Sequence, residues 1–417
     1  MLTLVLGATL GYGSPAVGVF FVALALAGVV AALRGSVFGR PDIWMLIAVV
    51  LFGAFVVLLG GLPLWLALLA AVAGGVYWFA RANRWWWVGT VPLWGLQIAA
   101  LKQRWHWGRA AIDVFTTLQT GTEHLLQGAN PYVFRYRDLA PLPKWHYVQA
   151  PFQYGPAALY LGVPGRLLGD VRLLAAIAVA GTIVALLVAA RKHGRDQFQR
   201  VAYLAASLPL WIPLIVDAWV DVYTAAGLAI WWALRHRHWP AAAIALGIGA
   251  AAKPVMLVGL LPLLVWDRSV RRDVAVAAAT GIVLCLPFLV WTGPVNFVYA
   301  VAGVHVQVLN EIWPTSVTFN ALLLKAHLAT IPDVVSILVL LASMPVAALW
   351  RPQRKELQLL TAVAFMLAAL LLSKQSFLNY YFVVVVWLLL AIAEAPERPP
   401  ATEPEGEALR VQPALLH

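Results

Sequence analysis

The sequence predicts an all-α protein: a polytopic transmembrane helical bundle of about 13 spans with a long exoplasmic loop carrying interfacial helices. Of its 417 residues, 62% are hydrophobic and only 11% are charged. Soluble domains carry about 25% charged residues, so the composition excludes a soluble protein. Apolar runs of about 20 residues, the length that crosses a bilayer, recur along the chain. Short clusters of basic residues lie between these runs.

The basic clusters indicate which side of the membrane each connection occupies, because cytoplasmic loops are rich in Lys and Arg. We place the strongest clusters in the cytoplasm: Arg191, Lys192, Arg195 and Arg200; Arg235 and Arg237; Arg268, Arg271 and Arg272; Arg351, Arg354 and Lys355. The N-terminus is then outside and the C-terminus inside. Because the bases follow membrane sidedness, we expect contacts with membrane lipids and no nucleic-acid partner.

Three regions follow from the apolar pattern. Residues 1–84 are predicted to form extra N-terminal spans, including a hairpin of 42–59 and 63–80. Residues 85–393 form the main membrane module. Residues 394–417 are acidic and Pro-rich, and this composition predicts a disordered cytoplasmic tail.

The long segment 102–170 is predicted to be exoplasmic, because 85–101 leaves the cytoplasm and 172–190 returns to it. Residues 112–126 have the spacing of a helix lying in the interface, and Gly128 with the following Asn-Pro turn ends it. The apolar piece 156–168 is too short to span and fits a second interfacial helix.

The rest of the module alternates between the two faces. We expect spans at 201–216 and 219–234, then 274–292 and 333–350 on either side of a second exoplasmic segment. The run 239–266 is too long for one span, and both of its ends carry cytoplasmic bases. It is therefore predicted to break at Lys253-Pro254, because Pro lacks the amide hydrogen that a helix requires.

This topology gathers several ionisable residues at the outer face. Lys253, Lys374 and Asp221 lie at exoplasmic ends of apolar runs, and Asp113 lies in the long loop. Ionisable groups at membrane depth are costly, so they tend to be paired or functional. The alternatives remain open: the lysines could be snorkelling anchors, Asp113 a helix cap or a partner of Arg109, and Asp221 a partner of Lys253.

The order of these outer-face motifs resembles a known family. Asp113 opens the loop and Gly128-Ala-Asn130-Pro131-Tyr132 follows; then come Tyr154-Gly155-Pro156, Lys253-Pro254 within a broken helix, and Asn379-Tyr380-Tyr381 opening the last span. This pattern looks like the C-type (GT-C) integral-membrane glycosyltransferases, in particular the glycosyltransferase family 87 group of polyprenyl-phosphate-mannose-dependent mannosyltransferases. The resemblance covers roughly residues 85–393.

The resemblance implies a GT-C-like catalytic module whose active site faces the exoplasm. It implies transfer of a hexose, mannose in the resembled group, from a polyprenyl-phosphate-linked sugar to a cell-envelope glycan, lipid or protein acceptor. Asp113 matches the family's loop aspartate and is the candidate general base. Lys253 and Lys374 are candidates for the donor phosphate. The candidate substrate-binding residues are Asn130, Tyr132, Tyr154, Asp221, Asn379 and Tyr380.

No cofactor is expected beyond the lipid-linked sugar, which is a substrate. Many C-type enzymes carry a second acid beside the loop aspartate, where this chain has Ile112 and Val114, so no metal is expected. The single Cys285 excludes disulfides and Cys-based metal sites. The rival hypotheses are a multi-span transporter or flippase of a lipid-linked saccharide, a non-catalytic envelope-assembly subunit, and an enzyme of the same class that uses a pentose or another lipid-linked sugar as donor.

Overall fold

The structure is a computed structural model that describes residues 72, 76, 85–106, 113–137, 149–208, 210–254, 257–303, 312, 316–350, 352–374 and 376–395. The predicted N-terminal spans, apart from residues 72 and 76, and the predicted tail from residue 396 lie outside the described residues. The described part is mostly helical, as the composition predicts.

Fifteen α-helices are described. They are α1 (Trp87–Arg104), α2 (Asp113–Leu126), α3 (Pro156–Leu167), α4 (Arg172–Arg191), α5 (Arg195–Ala206), α6 (Trp211–Val216), α7 (Asp221–Leu234), α8 (Trp239–Ala252), α9 (Leu257–Trp266), α10 (Arg268–Thr292), α11 (Pro294–Val298), α12 (Phe319–Lys325), α13 (Asp333–Leu349), α14 (Lys355–Leu372) and α15 (Leu378–Glu394). A single π-helical turn, Tyr299–Gly303, continues α11.

Three described helices, α4, α10 and α14, are long and apolar enough to cross a membrane. Shorter apolar helices, including α8, α9 and α13, accompany them. This composition supports a membrane protein, while the total of about 13 spans stays a prediction.

The long loop contains both predicted helices. Helix α2 ends at Leu126, and Gly128 follows with φ of 72°, a left-handed conformation that glycine adopts without steric cost. Helix α3 covers Pro156–Leu167. The structure adds one feature that the helical pattern did not predict: Tyr136–Arg137 (β1) and Gln149–Ala150 (β2) pair as short antiparallel strands, with Tyr136 opposite Ala150.

The predicted break at Lys253-Pro254 is confirmed, because α8 ends at Ala252 and α9 begins only at Leu257. The prediction of one continuous span over 201–216 is wrong. Helix α5 ends at Ala206 and α6 starts at Trp211, and Pro209 stands between them in the sequence. The Trp211 indole donates a hydrogen bond to the Ala205 carbonyl at 2.7 Å, which satisfies a carbonyl at the end of α5.

Helix α7 is the centre of the described bundle. It packs against α4, α8 and α15, and nearly all of its side chains are buried. A helix that is apolar on all sides must be surrounded by other helices or by lipid. At Gly227 the crossing with α8 is close enough that an added Cβ would lie 2.5 Å from the Ala245 carbonyl oxygen.

We expect Gly227→Ala to lower the thermal unfolding temperature of the detergent-solubilised protein, measured by Trp fluorescence. Alanine favours a helix over glycine by about 1 kcal/mol, but overpacking this crossing costs about 1–3 kcal/mol. Gly181→Ala is the matched control, because no atom lies within 4 Å of the added Cβ in α4. Equal unfolding temperatures for the two variants would contradict the close α7–α8 contact.

Candidate functional site

The candidate site is centred on the buried carboxylate of Asp221, which receives two donors on one oxygen. The Lys253 ammonium lies 3.0 Å from Asp221 Oδ2, and the Asn379 side-chain amide donates to the same oxygen at 2.6 Å. Asp221 and Asn379 are fully buried. A buried charge needs an opposite charge and hydrogen bonds to compensate for lost hydration. This arrangement supplies both to Oδ2.

Three helix ends meet at this site. Asp221 is the first residue of α7, Lys253 follows the last residue of α8, and Asn379 is the second residue of α15. The helix dipole favours a carboxylate at an N-terminus and a cation at a C-terminus, so both charges lie at the ends that stabilise them. The Thr224 hydroxyl contacts the carbonyl oxygens of Gly249 and Lys253 at 3.0 and 2.9 Å, which attaches the end of α8 to α7.

Lys253 also faces an aromatic ring. Its ammonium lies 3.9 Å from the ring centroid of Tyr380, a cation–π contact from the residue next to Asn379. The Lys253 side chain retains 16% of its exposure, whereas the carboxylate that it contacts retains none. Lys253 is therefore the member of the pair whose side chain is partly exposed.

Two buried oxygens of the site accept no hydrogen bond from the described residues. They are Oδ1 of Asp221 and Oδ1 of Asn379. Buried acceptors are normally satisfied, so two such atoms on adjacent side chains mark a place where a proton or a donor is missing. Both atoms belong to groups that already share the hydrogen bond from the Asn379 amide to Oδ2.

The long loop packs directly against the break between α8 and α9. The Gly155 amide donates to the Ala252 carbonyl at 3.0 Å, one residue before Lys253. A Cβ on Gly155 would lie 1.8 Å from the Ala251 carbonyl oxygen, so only glycine permits this approach. The structure therefore brings the predicted Tyr154-Gly155-Pro156 element next to the predicted Lys253-Pro254 element.

Asn130, Tyr132 and Tyr154 form one network that holds the loop. Asn130 donates to the Thr292 hydroxyl at 2.9 Å and its Oδ1 accepts from the Tyr132 amide at 3.0 Å. The Tyr132 hydroxyl donates to the Tyr154 carbonyl at 2.9 Å. The Tyr132 ring packs edge-on against Phe152, Phe288 and Phe297. All three predicted binding residues are buried, and these contacts are with the protein itself.

Lys374 forms its ion pair with Asp333, at 2.8 Å. It lies in the segment between α14 and α15, four residues before α15 begins. Asn379 follows five residues later, so their Cα atoms are at most about 18 Å apart. The acid beside Lys374 is thus a residue of α13, whereas the acid beside Lys253 is Asp221.

Asp113 is the first residue of α2, and its side chain lies outside what the structure describes. Helix α2 packs against α3, whose first residue follows Gly155. A continuous run of contacts therefore leads from the helix that begins with Asp113 to the segment beside Lys253.

A second charged pair, Asp170 and Arg172, was not identified from the sequence. Both side chains are fully buried, and Arg172 Nε lies 2.9 Å from Asp170 Oδ1. The guanidinium also packs over the rings of Trp105 and Phe115, at 4.6 and 4.7 Å. The pair therefore connects the start of α4 to the end of α1 and to α2. The only sequence signal was an acid and a base two residues apart at the start of an apolar run.

Among the described residues, no group of three His, Cys, Asp or Glu side chains is arranged to hold a metal ion. The oxygen atoms of Asp221 stand beside an ammonium group, which disfavours a cation there.

We expect Lys253→Met to destabilise the protein strongly, because it leaves the buried Asp221 carboxylate without its counter-ion. Removing one member of a buried pair costs about 3–5 kcal/mol. Adding Asp221→Asn to Lys253→Met should recover part of this loss, because the unpaired charge is then gone. Unfolding in detergent by denaturant measures both variants; a double variant less stable than Lys253→Met would contradict the direct pairing.

We expect the stability of the protein to depend on pH because Asp217, in the turn before α7, is largely buried. Burial raises the pKa of Asp217 from 3.8 to about 6, while Arg104, Trp219 and Arg172 act in the opposite direction. The folded protein binds this proton more tightly than the unfolded chain, so stability decreases as pH rises from about 4 to 6. Asp217→Asn should therefore be more stable than wild type at pH 7, by about 1–3 kcal/mol, with no gain at pH 4. The exposed Asp196→Asn is the control; equal pH profiles for wild type and Asp217→Asn would contradict the expectation.

In comparisons with known proteins, the chain matches no family model, no curated protein and no solved structure.

Proposed function

We propose that this protein is a multi-pass membrane glycosyltransferase acting at the exoplasmic face. It transfers a hexose from a polyprenyl phosphate to a cell-envelope glycan, lipid or protein acceptor. The hexose proposed is mannose. The observation that carries the proposal is the Asp221–Lys253–Asn379–Tyr380 cluster: a partly exposed lysine side chain paired with a buried carboxylate, where three helix ends meet beside the long loop.

An ammonium held in this way suits a departing phosphate. As the bond between the sugar and the phosphate breaks, negative charge accumulates on the phosphate oxygens. A preorganised cation in a partly dry site stabilises that charge more in the transition state than in the ground state. Lys253 fits this role because its ammonium carries three N–H donors on a partly exposed side chain. Lys374 is the second candidate cation, on the segment that leads to Asn379.

The acceptor hydroxyl requires a base on the other side of the sugar carbon. Asp113 fills that role in the proposal. As the first residue of α2 its carboxylate is favoured in the ionised form by the helix dipole, which is the form that accepts a proton. One carboxylate suffices for a single inverting displacement, because the phosphate leaves without protonation by the enzyme.

The remaining candidate residues divide between two roles. Asn130, Tyr132 and Tyr154 hold the loop against α10 and the break in α8, so they act by positioning. Tyr380 can stack on a sugar ring while its own ring supports the Lys253 ammonium. The charged residues of the three candidate spans lie near their ends, which favours a site at one face over a charged path through the membrane.

Transfer of radiolabelled mannose from synthetic polyprenyl-phosphate-mannose, in membranes that contain the acceptor, tests the proposal. Asp113→Asn should lower turnover by about 10²–10⁴. Lys253→Met, compared per amount of folded protein because this variant is destabilised, should lower it by about 10²–10³. The matched controls are Asp196→Asn and Lys325→Met, which remove the same charges from exposed positions.

Full turnover by a folded Asp113→Asn protein would remove Asp113 from the mechanism. Absence of transfer from any polyprenyl-phosphate sugar would overturn the proposed function. Transfer of a pentose alone would keep the reaction and change the donor. Movement of the lipid-linked sugar across the membrane without product would favour a flippase instead.

A further inference from the structure

Binding of a phosphate to Lys253 would change the balance of charge at Asp221. If Lys253 turns its donors toward a phosphate, Asp221 loses its counter-ion. Its carboxylate would then lie fully buried with the single hydrogen bond from Asn379. An uncompensated buried carboxylate is unfavourable by several kcal/mol, and such groups take up a proton instead.

The two unsatisfied oxygens indicate where that proton would reside. A protonated carboxyl and a primary amide form a cyclic pair: the amide N–H donates to one carboxyl oxygen, and the carboxyl O–H donates to the amide oxygen. The first of these bonds is present, from Asn379 Nδ2 to Asp221 Oδ2. The atoms that the second bond would join are the two buried acceptors without a donor, Asp221 Oδ1 and Asn379 Oδ1. One proton would satisfy both.

We propose that Lys253 exchanges Asp221 for the phosphate of its ligand, and that Asp221 then takes up one proton from water and shares it with Asn379. Binding of a phosphodiester therefore consumes a proton and keeps the buried charge balanced. Before binding, the Lys253 cation neutralises the carboxylate; after binding, it neutralises the phosphate and Asp221 is a neutral acid. This inference rests on the proposed function for the identity of the phosphodiester.

Several other ionisable groups lie near the start of α7. Lys253 faces Asp221 from the end of α8, and Tyr380 faces Lys253 from α15. At the start of α4, Asp170 and Arg172 pair with each other. Asp217 lies in the turn before α7, and the buried Tyr223 lies two residues after Asp221 on α7 itself. Asp221 is the group whose counter-ion the ligand would remove.

Calorimetry of a short-chain prenyl-phosphate-mannose binding to the detergent-solubilised full-length protein tests the exchange. This ligand is a phosphodiester and has no protonation of its own near neutral pH. In wild type, buffers of different ionisation enthalpy should reveal uptake of about one proton per ligand, and Kd should rise up to about tenfold per pH unit. In Asp221→Asn, proton uptake should vanish and Kd should no longer depend on pH.

Two further variants distinguish the exchange from a general loss of structure. Asp113→Asn should bind with the same proton uptake as wild type, because the base is not the group that gains this proton. Asn379→Leu should weaken binding of the diester, because the protonated Asp221 loses its acceptor. Binding by wild type without proton uptake, or full proton uptake in Asp221→Asn, would overturn the exchange.

These outcomes separate the exchange from the proposed function. Normal mannose transfer with no proton uptake on binding rejects the exchange alone. Absence of both diester binding and transfer rejects the proposed function, and the exchange with it.

Discussion

The ion pair between Asp221 and Lys253 is the constraint on which the described architecture of the site depends. A carboxylate that is fully buried in an apolar bundle must have its charge compensated nearby, and the group that compensates it here comes from a different helix. Because the pair joins the start of α7 to the end of α8, and Asn379 adds the start of α15, three helix ends are held at one point. Backbone hydrogen bonding alone would not bring them together.

The break between α8 and α9 allows the long loop to contact the site. Pro254 prevents the helix from continuing, and the Ala252 carbonyl is free to accept from the Gly155 amide. The geometry explains the glycine: any side chain there would collide with the Ala251 carbonyl, and a proline would in addition lack the donated hydrogen. Local backbone chemistry thus places the loop beside the partly exposed Lys253 side chain.

The Asp170–Arg172 and Asp221–Lys253 ion pairs differ in accessibility. Asp170 and Arg172 are both fully buried, and aromatic rings cover the guanidinium, so this pair connects helices and offers nothing to a ligand. In the Asp221–Lys253 pair the acid is buried and the base is partly exposed. Lys253 is thus partly exposed, whereas Arg172 is not.

The sequence alone determined the membrane class, the helical content, the break at Lys253-Pro254, and the helices α2 and α3 with the turn at Gly128. These features follow from composition, run length, proline and glycine, which act within a few residues. The sequence did not predict the break between α5 and α6, because the residues on both sides of it belong to one apolar run. Only the tertiary structure decided which charges pair: Lys253 with Asp221, Lys374 with Asp333, and Arg172 with Asp170. Each of the first two pairs joins residues at least 30 positions apart, and a contact at that separation depends on how helices pack, which local periodicity does not encode.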